Sequence, residues 1–148
     1  MLPVLGVSED SRPKWGLLGD DASLVQSIND FDAAILGCVY RVEFTRIRRN
    51  FATVNLYVTV ARAFKGDLKL SERIVINFPI DDVPVDPADR EKKFQSLRDA
   101  DIGGLRHCFI ERPQSGESHY STEWLFVPKF TEEMNVFLED WRKRSERK

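Results

Sequence analysis

The chain has 148 residues, 42% of them hydrophobic and 31% charged, and a formal net charge of −2. A chain of this length fits one domain, and no apolar run approaches the roughly 18 residues that a membrane-spanning helix needs. Because nucleic-acid-binding domains usually carry a large basic excess, the small negative charge argues against general nucleic-acid binding. We therefore expect one soluble globular domain without a membrane span.

The first 19 residues are predicted to form an irregular arm, and a single domain is expected over residues 20–148. Prolines and glycines interrupt any regular period in the arm, at Pro3, Gly6, Pro13, Gly16 and Gly19. The apolar start, MLPVLGV, has no basic residue and is too short for the core of a secretory signal peptide. A complete chain would be cytoplasmic, whereas a chain from which a signal peptide has been removed would be secreted or periplasmic.

A helix and three strands are predicted in the first half of the domain. Asp20 or Asp21 caps the helix, whose apolar face contains Leu24, Val25, Ile28 and Phe31. Alternation along the first strand predicts a core face made of Leu36, Cys38, Tyr40 and Val42, with a bulge or a barrel corner at Gly37. The second strand alternates strictly, with Tyr57 outward and an inward row of Val54, Leu56, Val58 and Val60. A third strand follows and is predicted to stop at Pro79.

The second half of the domain is predicted to contain a helix, two strands and a last helix. Asp86 and Pro87 begin the first of these helices, which runs to about Ala100 with Phe94 and Leu97 on its apolar side. The fourth strand covers residues 105–112, where His107 is expected at the surface, and the fifth covers residues 120–127. Thr131 caps the last helix, predicted over residues 131–147, whose buried stripe contains Met134, Phe137, Leu138 and Trp141.

This order of elements predicts a mainly β protein with an OB-fold, which is a five-stranded Greek-key barrel. One helix lies between strands 3 and 4, and there are helices at both ends. In a closed barrel the first and fourth strands pair, which predicts Cys38 and Cys108 as inward-facing neighbours, either as free buried thiols or as a disulfide. The helix over residues 87–100 is expected to cover one open end of the barrel with Phe94 and Leu97.

The phrases DAAILGCVYRVE and VARAFKGDLKLSERIVINF resemble the netrin-like and tissue-inhibitor-of-metalloproteinase-like OB domains, including small bacterial ones of unknown role. The resemblance covers about residues 22–127, at structural positions that include Asp32, Ala33, Gly37, Val39, Phe64, Lys65, Gly66 and the Gly104-Leu105-Arg106 stretch. The inhibitors of that group grasp a catalytic metal with an N-terminal cysteine and rely on several disulfides. This chain begins Met-Leu-Pro and has two cysteines, so the resemblance implies the fold and not that inhibition.

No motif in the chain predicts an enzyme, a cofactor or a metal site. A Gly-rich phosphate loop, HExxH and GxSxG are all missing from the sequence. The segment Ser115 to Tyr120 contains Ser, Glu and His, but it has no signal for a buried orienting acid or an oxyanion hole, so a solvated turn is favoured. The acids Asp81, Asp82, Asp86 and Asp89 match no known cation-binding loop and are interpreted as a polar connector.

The candidate binding residues are Arg46, Arg48 and Arg49, in a basic turn predicted from Thr45 to Asn50 between strands 1 and 2, and the outward Tyr57. Arg41 lies in the strand before the turn. In OB-folds the loop between strands 1 and 2 and the face of strands 2 and 3 bind oligonucleotides and oligosaccharides through cations and aromatic rings. A solvated turn explains the same arginines. The C-terminal WRKRSERK either attracts phosphates or acidic lipids or complements the carbonyl end of its helix, and the second interpretation is favoured.

The leading hypothesis is therefore a non-enzymatic binding module that contacts another protein or serves as an accessory domain. The alternative is a binder of single-stranded nucleic acid or oligosaccharide that acts through the basic turn. Neither the partner nor the oligomeric state follows from the sequence.

Overall fold

A five-stranded sheet forms the centre of the computed structural model, which describes residues 14–146. Its strands are β1 (Ala33–Arg48), β2 (Asn50–Lys65), β3 (Arg73–Val83), β4 (Leu105–Ile110) and β5 (Tyr120–Ser121). The strand order is β4-β1-β2-β3-β5. The pairs are antiparallel except β3 with β5, which is parallel, so the sheet is mixed.

Three α-helices accompany the sheet: α1 (Asp21–Asp30), α2 (Pro87–Asp101) and α3 (Glu132–Glu146). Their predicted starts are confirmed by side-chain caps. Carboxylates of Asp20 and Asp86 accept from backbone N–H groups three residues on, and the Thr131 hydroxyl accepts from the Met134 N–H. The predicted order of helix, three strands, helix, two strands and helix is confirmed, but the fold is mixed α/β and not mainly β as predicted. None of the helices within residues 14–146 is long and apolar enough to cross a membrane.

The predicted closed barrel is wrong, because the sheet remains open between β4 and β5. The segment predicted as a fifth strand over residues 120–127 contributes only two strand residues before a 3-10 turn at Trp124–Phe126. The Thr122 hydroxyl donates to the Phe109 carbonyl at 2.7 Å, a side-chain bond where closure would need a backbone ladder. Between the two edges the described residues form only isolated bridges, Glu111 with Ser121 and Arg106 with Lys129.

The face of β1 that packs in the core is the opposite of the predicted one over its first half. The side chains of Ile35 and Val39 are buried in the hydrophobic core, whereas Tyr40 is 39% exposed. The register breaks at Gly37 as predicted, although the extra residue there is Ala61 of β2. A bulge between Val39 and Arg41, with Tyr40 as the extra residue of β1, shifts the phase of the strand. Val42 therefore faces the core as predicted, because one extra residue exchanges the two faces.

The inverted face also separates the two cysteines. β1 and β4 pair as predicted, but Cys38 lies opposite Leu105 and Cys108 lies opposite Ile35. Cys108 is fully buried in the core, while Cys38 is half-buried on the outer face, and both thiols are free. The prediction that both sulfurs face inward as neighbours is wrong.

β3 continues through Pro79 to Val83 and does not stop there as predicted. The Asn77 carbonyl accepts from the Thr122 N–H on the β5 side of the strand. The N–H and C=O groups of successive strand residues point to alternate sides, so the backbone nitrogen of Pro79 points to the β5 side, as the groups of Asn77 do. Pro79 lies beyond Ile76 and Asn77, the two residues that pair with β5. Its missing N–H thus breaks no ladder bond, which is how edge strands tolerate proline.

The helices cover the sheet at two places. α1 and α3 pack over one end, where Leu24, Ile28, Met134 and Leu138 are buried with Phe109. α2 covers the hairpin end of β1 and β2, where Phe94 is buried as predicted and Leu97 is half-buried. Of the predicted irregular arm, residues 1–13 lie outside the described residues, and Trp15 packs edge-on against Phe137 with ring centroids 5.3 Å apart.

Candidate functional site

The three predicted arginines lie at the tip of the β1–β2 hairpin. β1 extends to Arg48 and β2 begins at Asn50, so the turn is tighter than the predicted Thr45–Asn50 turn. Arg46 and Asn50 have left-handed backbone conformations, with φ of 49° and 59°, that help to close it. Arg46, Arg48 and Arg49 are exposed, and no ion pair to another described residue neutralises them.

Acidic side chains lie beside this tip. Phe51 pairs with Arg48 on one side and with Asp81 on the other, which places Asp81 two strands away from the arginine. Asp82 follows it in β3, and both carboxylates are exposed. The local field at the tip is therefore mixed, since two strand spacings of about 4.8 Å separate the opposite charges by roughly one Debye length, at which screening is incomplete.

Tyr57 does not join the tip. It pairs with Arg41, and it lies six residues along β2 from the Arg48 partner Phe51, which corresponds to about 20 Å at the strand rise of about 3.3 Å per residue. Tyr57 instead belongs to a group on the outer face of β1, β2 and β3. We call this group the outer-face cluster; its members are Tyr40, Arg41, Glu43, Asn55, Tyr57, Arg73 and Asn77.

The bulge of β1 between Val39 and Arg41 creates the cluster. Register runs from Val39 opposite Val58 to Arg41 opposite Tyr57, which leaves Tyr40 as the extra residue. A bulge re-aims the side chains around it, so Tyr40 and Arg41 are both exposed beside Tyr57. Glu43 lies two residues further along β1, and the strict alternation of β2 and β3 supplies the other outward members.

Hydrogen bonds to Glu43 connect several members of the cluster. The Glu43 carboxylate accepts from the Asn55 amide and the Tyr57 hydroxyl, each at 3.2 Å, and from Arg41 at 3.1 Å. These donors, the Asn55 amide first, hold the pKa of Glu43 below its ordinary value. Burial and then the Glu43 charge raise the pKa of Tyr57, so at neutral pH the carboxylate is ionised and the phenol is protonated.

Each tyrosine of the cluster carries an arginine on its ring. The Arg41 guanidinium carbon lies 4.9 Å from the Tyr57 centroid, and that of Arg73 lies 4.9 Å from the Tyr40 centroid. The two rings meet edge to face at 6.1 Å. Because a ring holds a guanidinium in place by cation–π attraction, two oriented donor groups lie side by side on the sheet. Such groups bind carboxylates or phosphates in bidentate fashion.

The other candidate segments form no comparable group. In the predicted solvated turn, the His119 imidazole lies 2.9 Å from the Glu117 carboxylate of the same exposed segment. Among the four acids, Asp86 caps α2 and Asp82 lies 3.9 Å from Lys93. Across residues 14–146, no three His, Cys, Asp or Glu side chains converge as metal ligands would.

The burial of two polar residues of β4 was not predicted from the sequence. Arg106 forms an ion pair with Asp101 at 2.6 Å, at the end of α2. His107, expected at the surface, is fully buried against Phe130, and its Nε2 lies 3.3 Å from the Asn135 side chain. The signal that was present is the run LRHCFI, in which apolar residues occupy both faces of the strand, as in a strand covered on both sides.

The positions that carry the netrin-like resemblance have structural tasks. A Cβ on Gly37 would lie 3.1 Å from the Val58 side chain, and Gly66, at φ 97°, would place one 3.0 Å from Ala33. Lys65 donates to the carbonyl of Ile28 in the last turn of α1, at 2.9 Å, and to that of Phe31, which follows the helix as its C-cap. A comparison with protein-family models and a search of curated proteins gave no match for the chain.

Proposed function

We propose that the chain is a non-enzymatic binding module that holds an acidic segment of a partner protein on the outer-face cluster. The observation that carries the proposal is that Arg41 and Arg73 each form a cation–π contact with a tyrosine ring on an exposed sheet face. We also infer an OB-like fold of the netrin-like type. The parallel pairing of β3 with β5 and the bridge between Glu111 and Ser121 support that inference.

The N–H groups that Arg41 and Arg73 keep available favour a carboxylate ligand. Arg41 uses one contact, to Glu43, and Arg73 has no ion pair among the described residues, so both keep N–H groups for a partner. Since the rings already orient them, little side-chain entropy is lost on binding. Arginine and tyrosine are also the residues that dominate binding energy at protein interfaces.

A second candidate function is the binding of single-stranded nucleic acid or oligosaccharide, which the free cations Arg46, Arg48 and Arg49 favour. Binding of bases relies on open aromatic faces as stacking platforms. In the cluster, Arg41 and Arg73 occupy faces of the two tyrosine rings, and near the tip Asp81 and Asp82 oppose a polyanion. A protein partner is therefore the better match to this surface.

The test compares partner capture by the native chain with capture by the double variant Arg41→Ser and Arg73→Ser. A matched control, Lys92→Ser with Arg112→Ser, removes the same charge from exposed sites outside the cluster. The cluster variant is expected to lose the partner while the control keeps it, with both variants folded by circular dichroism. Retention of the partner by the cluster variant at full affinity would show that the outer face is not the binding surface.

The two candidate functions are separated by defined probes. A glutamate-rich peptide is expected to compete with the partner, whereas single-stranded DNA of equal charge is expected to compete poorly. A steep loss of affinity with added salt is typical of several phosphate contacts. Stronger competition by the DNA, with that salt dependence, would transfer the proposal to nucleic acid.

A further inference from the structure

A cleft lies outside the outer-face cluster, between the end of α2 and the 3-10 turn at Trp124–Phe126. It encloses about 450 Å³, and its walls include Trp15, Leu18, Leu97 and Trp124. Small-molecule sites usually enclose about 300 to 1,000 Å³ and are mostly apolar with a few converging polar groups. The polar groups here are Asp101, Arg106 and Lys129.

Arg106 brings unused donors to this cleft. A guanidinium has five N–H groups. One donates to the Val127 carbonyl and one to the Asp101 carboxylate, so three lack a partner among the described residues. The residue is only 5% exposed, and its guanidinium carbon lies 5.2 Å from the Trp124 ring centroid. Its two terminal nitrogens each have one partner already, and a spare N–H group in such nearly buried, low-dielectric surroundings forms a stronger hydrogen bond with any acceptor that reaches it.

The net charge of the residues that line the cleft favours a negatively charged ligand. Arg106 and Lys129 are positive and Asp101 is negative, while every other lining residue among those described is neutral, so the lining carries one net positive charge. The ion pair with Asp101 by itself explains how the end of α2 is held to β4. It does not use the remaining N–H groups of Arg106, nor does it involve Lys129.

We propose that this cleft binds a small amphipathic carboxylate. Its flat apolar body lies against Trp124 and Leu97, and its carboxylate accepts hydrogen bonds from Arg106 with Lys129 at the rim. The proposal is independent of the outer-face cluster, because the cleft and the cluster share no residue.

The test is a titration of the ¹⁵N-labelled chain with three probes that share one ring system: 1-naphthoate, 1-naphthalenemethanol and 1-naphthylmethylammonium. The indole N–H signals of Trp15 and Trp124 report on the cleft, and that of Trp141 is an internal control because it lies outside the lining. Naphthoate is expected to shift the first two signals saturably, with a Kd of about 1 mM or tighter. The alcohol and the ammonium are expected to bind at least about tenfold more weakly, since they lack the carboxylate.

Three variants localise the binding. Leu97→Trp fills the cleft and is expected to abolish saturation, and Lys129→Gln is expected to weaken naphthoate binding about fivefold, as for loss of one partly screened charge. Lys92→Gln removes a charge from α2 outside the lining and is expected to change nothing. Absence of saturable shifts up to about 10 mM, equal binding of the alcohol, or naphthoate binding by Lys129→Gln as tight as by the native chain would each overturn the proposal.

Discussion

Phe94 of α2 stacks on Phe44 of β1, with ring centroids 4.0 Å apart and planes inclined by 8°. The pair joins the helix to the hairpin end of the open sheet, where Ala52 and Val83 are also buried. It is the main apolar contact of α2 with the strands, since Phe94 is the one fully buried apolar residue of the helix, while the Arg106–Asp101 ion pair holds the helix end. This relationship predicts a large effect for a single substitution.

Replacing Phe94 with Ala is expected to lower the free energy of unfolding by about 3 kcal/mol or more, as for other buried aromatic residues. Phe94 is 2% exposed, so the substitution leaves a cavity under α2. Denaturation in urea at constant m-value measures the change. Ser96→Ala, at an exposed position of the same helix, is the control and should cost less than about 0.5 kcal/mol. A loss below about 1 kcal/mol for Phe94→Ala would mean that α2 is only loosely attached.

Buried His107 should make the fold sensitive to acid. Burial lowers the pKa of His107 below its ordinary 6.5, so the unfolded chain binds a proton more readily than the folded one. The contribution of the neutral His107 imidazole to the free energy of unfolding is therefore fully present above about pH 6.5. It is lost as the pH falls below that value. We expect the melting temperature of the native chain to fall between pH 7 and pH 5 more than that of His107→Gln. Equal falls in the two proteins would contradict this assignment.

The two cysteines should react very differently with a thiol reagent. Burial raises the pKa of the Cys108 thiol to about 12, and the thiolate is the reactive form. Cys38 is half-buried on the outer face and has no such enclosure. At pH 8 the native chain is expected to label at one thiol, and Cys38→Ala is expected to label only after unfolding. Rapid labelling of native Cys38→Ala would show that the core around Cys108 opens easily.

Removing the charges at the hairpin tip should affect binding rates more than stability. The triple variant Arg46→Ser, Arg48→Ser and Arg49→Ser changes exposed residues only, so the melting temperature should move by less than about 2 °C. Distant charges steer an acidic partner towards the cluster, so association should slow severalfold while dissociation is nearly unchanged. Stopped-flow or surface-binding kinetics with the captured partner measure both rates. Complete loss of binding would move the site to the tip, and unchanged association would leave the tip as a solvated turn.

Part of the candidate site was predictable, because it rests on local alternation. The strict pattern of β2 predicts an outward Tyr57, and the charges predict an exposed hairpin tip. Tyr40 and Arg73 were not predicted as members of a site. Their position beside Tyr57 depends on a bulge in β1 and on the register of β3, and neither has a signal in a single strand.

Elements with local signals could be predicted from the residues alone. Helix caps at Asp20, Asp86 and Thr131 form hydrogen bonds within three residues, and the inward row of β2 needs only a period of two. Tertiary structure decided the features that depend on distant partners. Apolar residues occupy both faces of β1 because the core lies on one side and α1 with α3 on the other, so periodicity could not choose the inward face. The open edge of the sheet has the same kind of cause: Thr122 bonds to β3 and β4 at once and ends β5 after two residues, an arrangement that exists only after those strands have met.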